Sequence, residues 1–200
     1  MSTETLQTLA ERIDAWVRES RPSQGLCILE ELEMRADEWC ALEGYQWPFV
    51  ELIEGEITMA PSPSENHQDT VFELAVLLRA HVRASVKGII RLSPLDLRLS
   101  DSTVVQPDIM CFANAGDALP ALVVEVLSPS TFRHDLGPKM LLYAEAGIAH
   151  YWVADPMRKD IEAYEFQDGR YVEVGEVKAG VFQGPPFPEL SIPLAELFPG

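Results

Sequence analysis

Two runs, TVVQPDIMCF (103–112) and ALVVEVLS (121–128), are rich in β-branched residues and almost free of polar ones. Apolar runs this short read as strands covered on both faces, which places them at the centre of a sheet. A sheet covered on both faces needs helices or a second sheet packed on it, and that requirement narrows the fold more than any other feature. Each run also carries one acid, Asp108 and Glu125, where the local pattern calls for an apolar residue.

The remaining elements complete the frame. Residues 5–18 predict an amphipathic helix with Leu6, Leu9, Ala10, Ile13, Trp16 and Val17 on one stripe, and a second helical stretch is expected from about Leu29 to Leu42. FVELIEGEITMA (49–60) predicts a hairpin turning at Glu54-Gly55. Ser62-Pro63-Ser64-Glu65 predicts a helix start, with serine as the cap, proline first and glutamate third. That helix runs to about Ser85 and buries Val71, Leu74, Ala75, Leu78 and Val82. Leu95, Leu97 and Leu99 alternate as in a half-buried strand. A further helix from about Asp135 to Ala146, a strand HYWVAD (150–155) and a hairpin at Asp168-Gly169 follow. The tail, with five prolines between 185 and 199, predicts an irregular wrap ending in a short amphipathic turn. The fold class is therefore α/β (α+β), a mixed sheet with helices on its faces. Residues 1–30 are expected to be a helical appendage, and 31–200 the domain proper.

The composition bounds what such a domain does. The 200 residues suit one domain, and the net charge of −17 opposes general attraction to a polyanion. Exposed charges are screened beyond about 8 Å at physiological salt, and a bound cation reverses the local sign, so the charge does not exclude an acidic site acting on phosphate. No run reaches the 18 or so apolar residues of a membrane-spanning helix, and the N-terminal stretch lacks the pattern of a signal peptide. The three cysteines stand in no short C-x-x-C spacing, which suits a reducing compartment and predicts a cytoplasmic protein.

Chemistry is expected where polar groups interrupt apolar pattern. A carboxylate in a buried strand is costly unless it is paired or binds a metal. Pro107 is tolerated only at a strand start, edge or bulge, so Asp108 is expected where its strand begins or bends. Asp108 and Glu125 on neighbouring strands can share a hard cation through oxygen ligands. Lys139 falls on the same helical stripe as Leu136, Met140 and Tyr143, which turns an ammonium inward and demands an anionic partner. Each residue has a blander reading: a half-exposed strand acid for Glu125, a turn residue for Asp108, a lysine reaching along its helix to water for Lys139. Asp135 is most simply the cap of its helix. His67 either points into a site or only occupies the first helical turn.

Asp108, with Glu125 seventeen positions on, resembles the signature of the PD-(D/E)xK nuclease superfamily. More closely, the chain resembles the Uma2 family of restriction-endonuclease-like proteins, over roughly residues 30–198. The matching stretches are 45–67, VVQPDIMCF (104–112), LVVEVLSPSTFRHDLGPKMLLYAEAGIAHYWVADP (122–156) and LSIPLAELF (190–198). In the superfamily a lysine usually stands two residues after the second acid, where this chain has Leu127; the Uma2 pattern has its lysine on the following helix, at Lys139.

The resemblance implies a restriction-endonuclease-like core and metal-dependent hydrolysis of phosphodiester bonds in nucleic acid, with DNA the expected substrate. It implies that Asp108, Glu125 and the carbonyl of Val126 hold Mg²⁺ or Mn²⁺, and that Lys139 assists the attacking water. Glu51, Glu54, His67 and Asp135 are accessory candidates. A homodimer would let two sites address two strands. Two other functions stay open: a binding or regulatory module that keeps the fold without turnover, and a metal-dependent hydrolase of a smaller substrate.

Overall fold

The computed structural model describes residues 3–20, 27–42, 47–85, 88–128 and 132–198. The chain forms two compact units, one from Met1–Ser62 with Asp96–Gln106, the other from Pro63–Leu95 with Pro107–Gly200.

The first unit begins with helix α1 (Thr3–Glu19), in which Ala10 and Ile13 are fully buried. Trp47 donates its indole N–H to Asp14 at 2.6 Å, fastening this helix from its polar side. Strand β1 (Cys27–Glu33), helix α2 (Ala36–Cys40), β2 (Val50–Ile53) and β3 (Glu56–Met59) follow, and β5 (Leu97–Arg98) and β6 (Val104–Val105) return to the same sheet. The strand order is β1-β3-β2-β6-β5. The β2–β3 hairpin turns at Glu54-Gly55, with φ of 51° and 93°, the left-handed pair of a tight two-residue turn.

Residues 29–42 depart from expectation. Glutamate- and leucine-rich LEELEM favours a helix locally, yet Cys27, Ile28 and Leu29 pair antiparallel with Met59, Thr58 and Ile57, and only the five residues of α2 are helical. Tertiary pairing overrides the intrinsic preference.

The second unit holds helix α3 (Glu65–Ser85), strand β4 (Ile89–Leu92), β7 (Ile109–Phe112), β8 (Leu122–Val126), helix α4 (Phe132–Glu145), β9 (His150–Asp155), β10 (Asp160–Gln167) and β11 (Arg170–Glu173). Its six-stranded sheet has the order β11-β10-β9-β8-β7-β4. β8 and β9 are parallel and the other neighbours antiparallel, so α4 serves as the crossover that a parallel pair requires. Asp168-Gly169 turns the β10–β11 hairpin with φ of 50° and 84°.

Alternation along β8 divides its side chains. Leu122, Val124 and Val126 join the core cluster with Leu74, Leu78 and Val82 of α3. Glu125, of opposite parity, faces away from that cluster and meets α4. The cap of α3 is Ser64 and not Ser62: its Oγ accepts the His67 N–H at 3.3 Å, and the helix starts at Glu65. Helix α4 begins at Phe132, so Asp135 is inside its first turns and is not its cap; the Asp135 side chain lies outside the described residues.

The expected strand over 103–112 is two strands. β6 ends at Val105 in the first unit and β7 begins at Ile109 in the second, with Pro107 between them. The tail is also more regular than expected. β12 (Glu176–Lys178), β13 (Val181–Gly184) and β14 (Phe187–Pro193) form an antiparallel sheet, followed by the short helix α5 (Leu194–Leu197). Among the described residues β14 pairs only with β13 and is an edge strand, where Pro188 costs no ladder hydrogen bond that the sheet needs.

Candidate active site

Asp108 and Glu125 stand at one end of the β7–β8 pair. The ladder pairs Ile109 with Val124 at this end; Asp108 lies one residue before Ile109 and Glu125 one residue after Val124. Their side chains meet different helices, Asp108 meeting His67 of α3 and Glu125 meeting Lys139 and Tyr143 of α4. Asp108 immediately precedes β7, where Pro107 ends the regular backbone, and its Oδ2 accepts the backbone N–H of Val126 at 2.8 Å. The same oxygen lies 3.2 Å from Nε2 of His67, a buried residue on the first turn of α3. Asp108 is therefore tied to the neighbouring strand and to the helix above.

Glu125 is 6% exposed and its Oε1 takes two donors. Lys139 Nζ is 3.3 Å away and the Tyr143 hydroxyl 2.6 Å away. Both donors come from α4 at i and i+4, the spacing that aligns side chains on one helical face. Lys139 is mostly buried, with a side-chain exposure of 13%, so its ammonium is matched by the carboxylate and does not run along the helix to water. Val126 follows Glu125 and is buried at the end of β8.

The accessory residues fall differently. His67 joins Asp108, as above. Glu51 and Glu54 belong to the first unit: Glu51 is buried and its Oε1 accepts the Gln106 N–H at 2.7 Å, whereas Glu54 is exposed in the β2–β3 turn. Alternation alone left those two glutamates as rivals; the turn separates them into one inward and one outward. Tyr143 was read from the sequence only as a buried stripe residue. Its signal was a hydroxyl four residues after Lys139 on that stripe, and a buried hydroxyl wants a partner.

A hard divalent cation fits this donor chemistry. Two carboxylates at a strand end are oxygen donors, and Mg²⁺ commonly binds through one or two carboxylates while keeping waters or substrate phosphates. Among the described residues no group of three or more His, Cys, Asp and Glu side chains could hold a metal. These residues therefore form no closed structural cage of that kind.

A mixed sheet with a β8–α4–β9 crossover, flanked by helices, is the restriction-endonuclease-like fold. The chain matches the Uma2 family model, described as "putative restriction endonuclease", over residues 36–195, and it belongs to that family. It is similar in structure to a protein described as a "putative nuclease belonging to DUF820" from Anabaena variabilis ATCC 29413. The TM-score is 0.67 and the identity 23%, covering 82% of this chain and 97% of that one. Comparison with curated proteins gives no match. Among the described residues no helix is long and apolar enough to cross a membrane.

Proposed function

We propose that this chain is a divalent-cation-dependent endonuclease that hydrolyses phosphodiester bonds of nucleic acid, with DNA as its substrate. The observation that carries this reading is that Asp108 and Glu125 flank the Ile109–Val124 pair at one end of β7 and β8, with Lys139 on Glu125. Membership of a nuclease family supports it.

In this reading Asp108, Glu125 and the Val126 carbonyl hold Mg²⁺ or Mn²⁺. The cation, when bound, acidifies a water and offsets charge on the phosphate. His67 and the Val126 N–H fix the Asp108 carboxylate, which limits the rearrangement needed on loading. Lys139 is paired with Glu125 and would turn to the scissile phosphate when substrate binds, where its charge would oppose the negative charge of the transition state. Water attacks phosphorus, the bond from phosphorus to one ester oxygen breaks, and that oxygen leaves with a proton. Two copies of the chain would serve the two strands of a duplex. The protein acts in the cytoplasm.

The charge of −17 favours a second reading, a binding module that keeps the fold without turnover. One experiment separates them. Supercoiled plasmid and single-stranded DNA are incubated with the protein and Mn²⁺, beside Asp108→Ala. Nuclease function requires nicking by the native protein and loss in the variant. Mn²⁺ should also raise the melting temperature of the native protein and not of Asp108→Ala. A Mn²⁺-induced shift without cleavage of either DNA selects the binding module.

A further inference from the structure

Glu125 Oε1 receives two donors of different kinds. The Tyr143 ring is fully buried and packs on Tyr151, with ring centres 5.3 Å apart. Tyr151 packs in turn on Tyr171 at 5.7 Å and Tyr164 at 6.2 Å, so rings from β10 and β11 back the residue that holds Glu125. The phenol has two side-chain torsions, both constrained by this packing, and its 2.6 Å bond is in the range of a charge-assisted O–H donor. Lys139 reaches the same oxygen at 3.3 Å on a stem of four torsions.

The two donors also differ in charge. An ammonium on Glu125 cancels the negative charge that a cation needs, and a cation arriving there repels it. A phenol holds the carboxylate without cancelling that charge. We infer that Tyr143 is the positioning residue for Glu125: it fixes Oε1 so that Lys139 can leave for a substrate phosphate without the carboxylate losing its orientation. This rests on Glu125 being a cation ligand. A phenylalanine would pack as well as Tyr143 in an all-apolar niche, so the hydroxyl is accounted for by the carboxylate it meets.

The test measures Mn²⁺ binding to the full chain by electron paramagnetic resonance of free Mn²⁺, with no substrate present. Melting in EDTA reports structure separately. Tyr143→Phe should melt close to wild type and bind Mn²⁺ about tenfold more weakly, the scale of one lost hydrogen bond to a charged group. In a Lys139→Met background, Tyr143→Phe should weaken Mn²⁺ binding by a similar factor, because Tyr143 holds Oε1 whether or not Lys139 is there. Wild-type Mn²⁺ affinity in Tyr143→Phe, with affinity lost in Glu125→Gln, overturns the role of Tyr143 alone. Wild-type affinity in Glu125→Gln overturns the cation site itself. Should Tyr143→Phe fail to fold, 3-fluorotyrosine at position 143 gives a ¹⁹F resonance that must shift on titration with Mg²⁺. A resonance unmoved by Mg²⁺ rejects the inference.

Discussion

His67 Nε2 lies 3.2 Å from Asp108 Oδ2, the oxygen that also accepts the Val126 N–H at 2.8 Å. One carboxylate oxygen thus joins the first turn of α3 to the end of β8. A side chain held from two directions loses little freedom when it takes a ligand, and that saves binding free energy. His67→Phe keeps the ring volume and removes the polar contact. Cleavage should fall about tenfold and Mn²⁺ binding weaken severalfold, the scale of one hydrogen bond to a charged group. Asp108→Asn should be far more damaging. Equal activity of His67→Phe and wild type in a plasmid assay would reduce His67 to a residue of the helix start.

Cys111 is 2% exposed in β7 and contributes to the core, and burial pushes its thiol up to about 12. The thiolate is the reactive form, so Cys111 should be inert at neutral pH while the chain is folded. With an aromatic disulfide reagent, exposed Cys40 should react first. Cys111 should react only at the rate of unfolding, and rapid labelling of it in native protein would show that the β7 face opens.

His150 begins β9 opposite Glu165 on β10. Desolvation lowers its pKa from the ordinary 6.5, and Glu165 opposes that only in part. Its Nδ1 is buried without a hydrogen-bond partner. The native state favours the neutral ring, so the unfolded chain binds more protons once the pH falls to about 6.5. Stability contributed by the neutral ring is present above that pH and declines below it, until the native ring also protonates. His150→Gln should therefore lose less stability than wild type between about pH 7.5 and 5.5. Denaturant melts across that range, with parallel slopes for the two proteins, would reject this.

The centre of the second unit was legible because its strands announce themselves. ALVVEVLS and the residues after Pro107 are apolar enough to be nothing but covered strands, and the acids stood out against them. Pro107 also located the break at Asp108, although it separates two strands of different sheets where one bent strand was expected. The β1 error has the opposite cause. LEELEM is a good helix sequence, and its partner β3 lies more than twenty residues away, beyond the reach of local pattern. Four prolines between 185 and 193 concealed the last sheet, since edge strands tolerate a residue that central strands do not. The candidate site was legible as a set of residue types but not as a set of bonds. No spacing predicts that His67 meets Asp108, or that Lys139 and Tyr143 meet the same oxygen of Glu125.

Lys139 is where the structural and chemical readings part most clearly. Its ammonium and Glu125 are 3.3 Å apart, with side-chain exposures of 13% and 8%. Removing one member of a buried ion pair leaves the other charge uncompensated, a destabilising change. Lys139→Met should therefore lower the melting temperature in EDTA, although methionine fills the same stripe beside Met140 and Tyr143. Tyr143 still holds Glu125, which limits the loss. A divalent cation supplies the missing positive charge, so Mn²⁺ should restore more stability to Lys139→Met than it adds to wild type. Turnover should nevertheless stay about 10²-fold or more below wild type, because the proposed reaction loses the group it directs at the phosphate. The two readouts must move in opposite directions: a larger response to Mn²⁺, with weaker cleavage. Cleavage within about threefold of wild type, on the scale of a positioned acid–base group, would leave Lys139 as an ion-pair partner and remove it from the reaction.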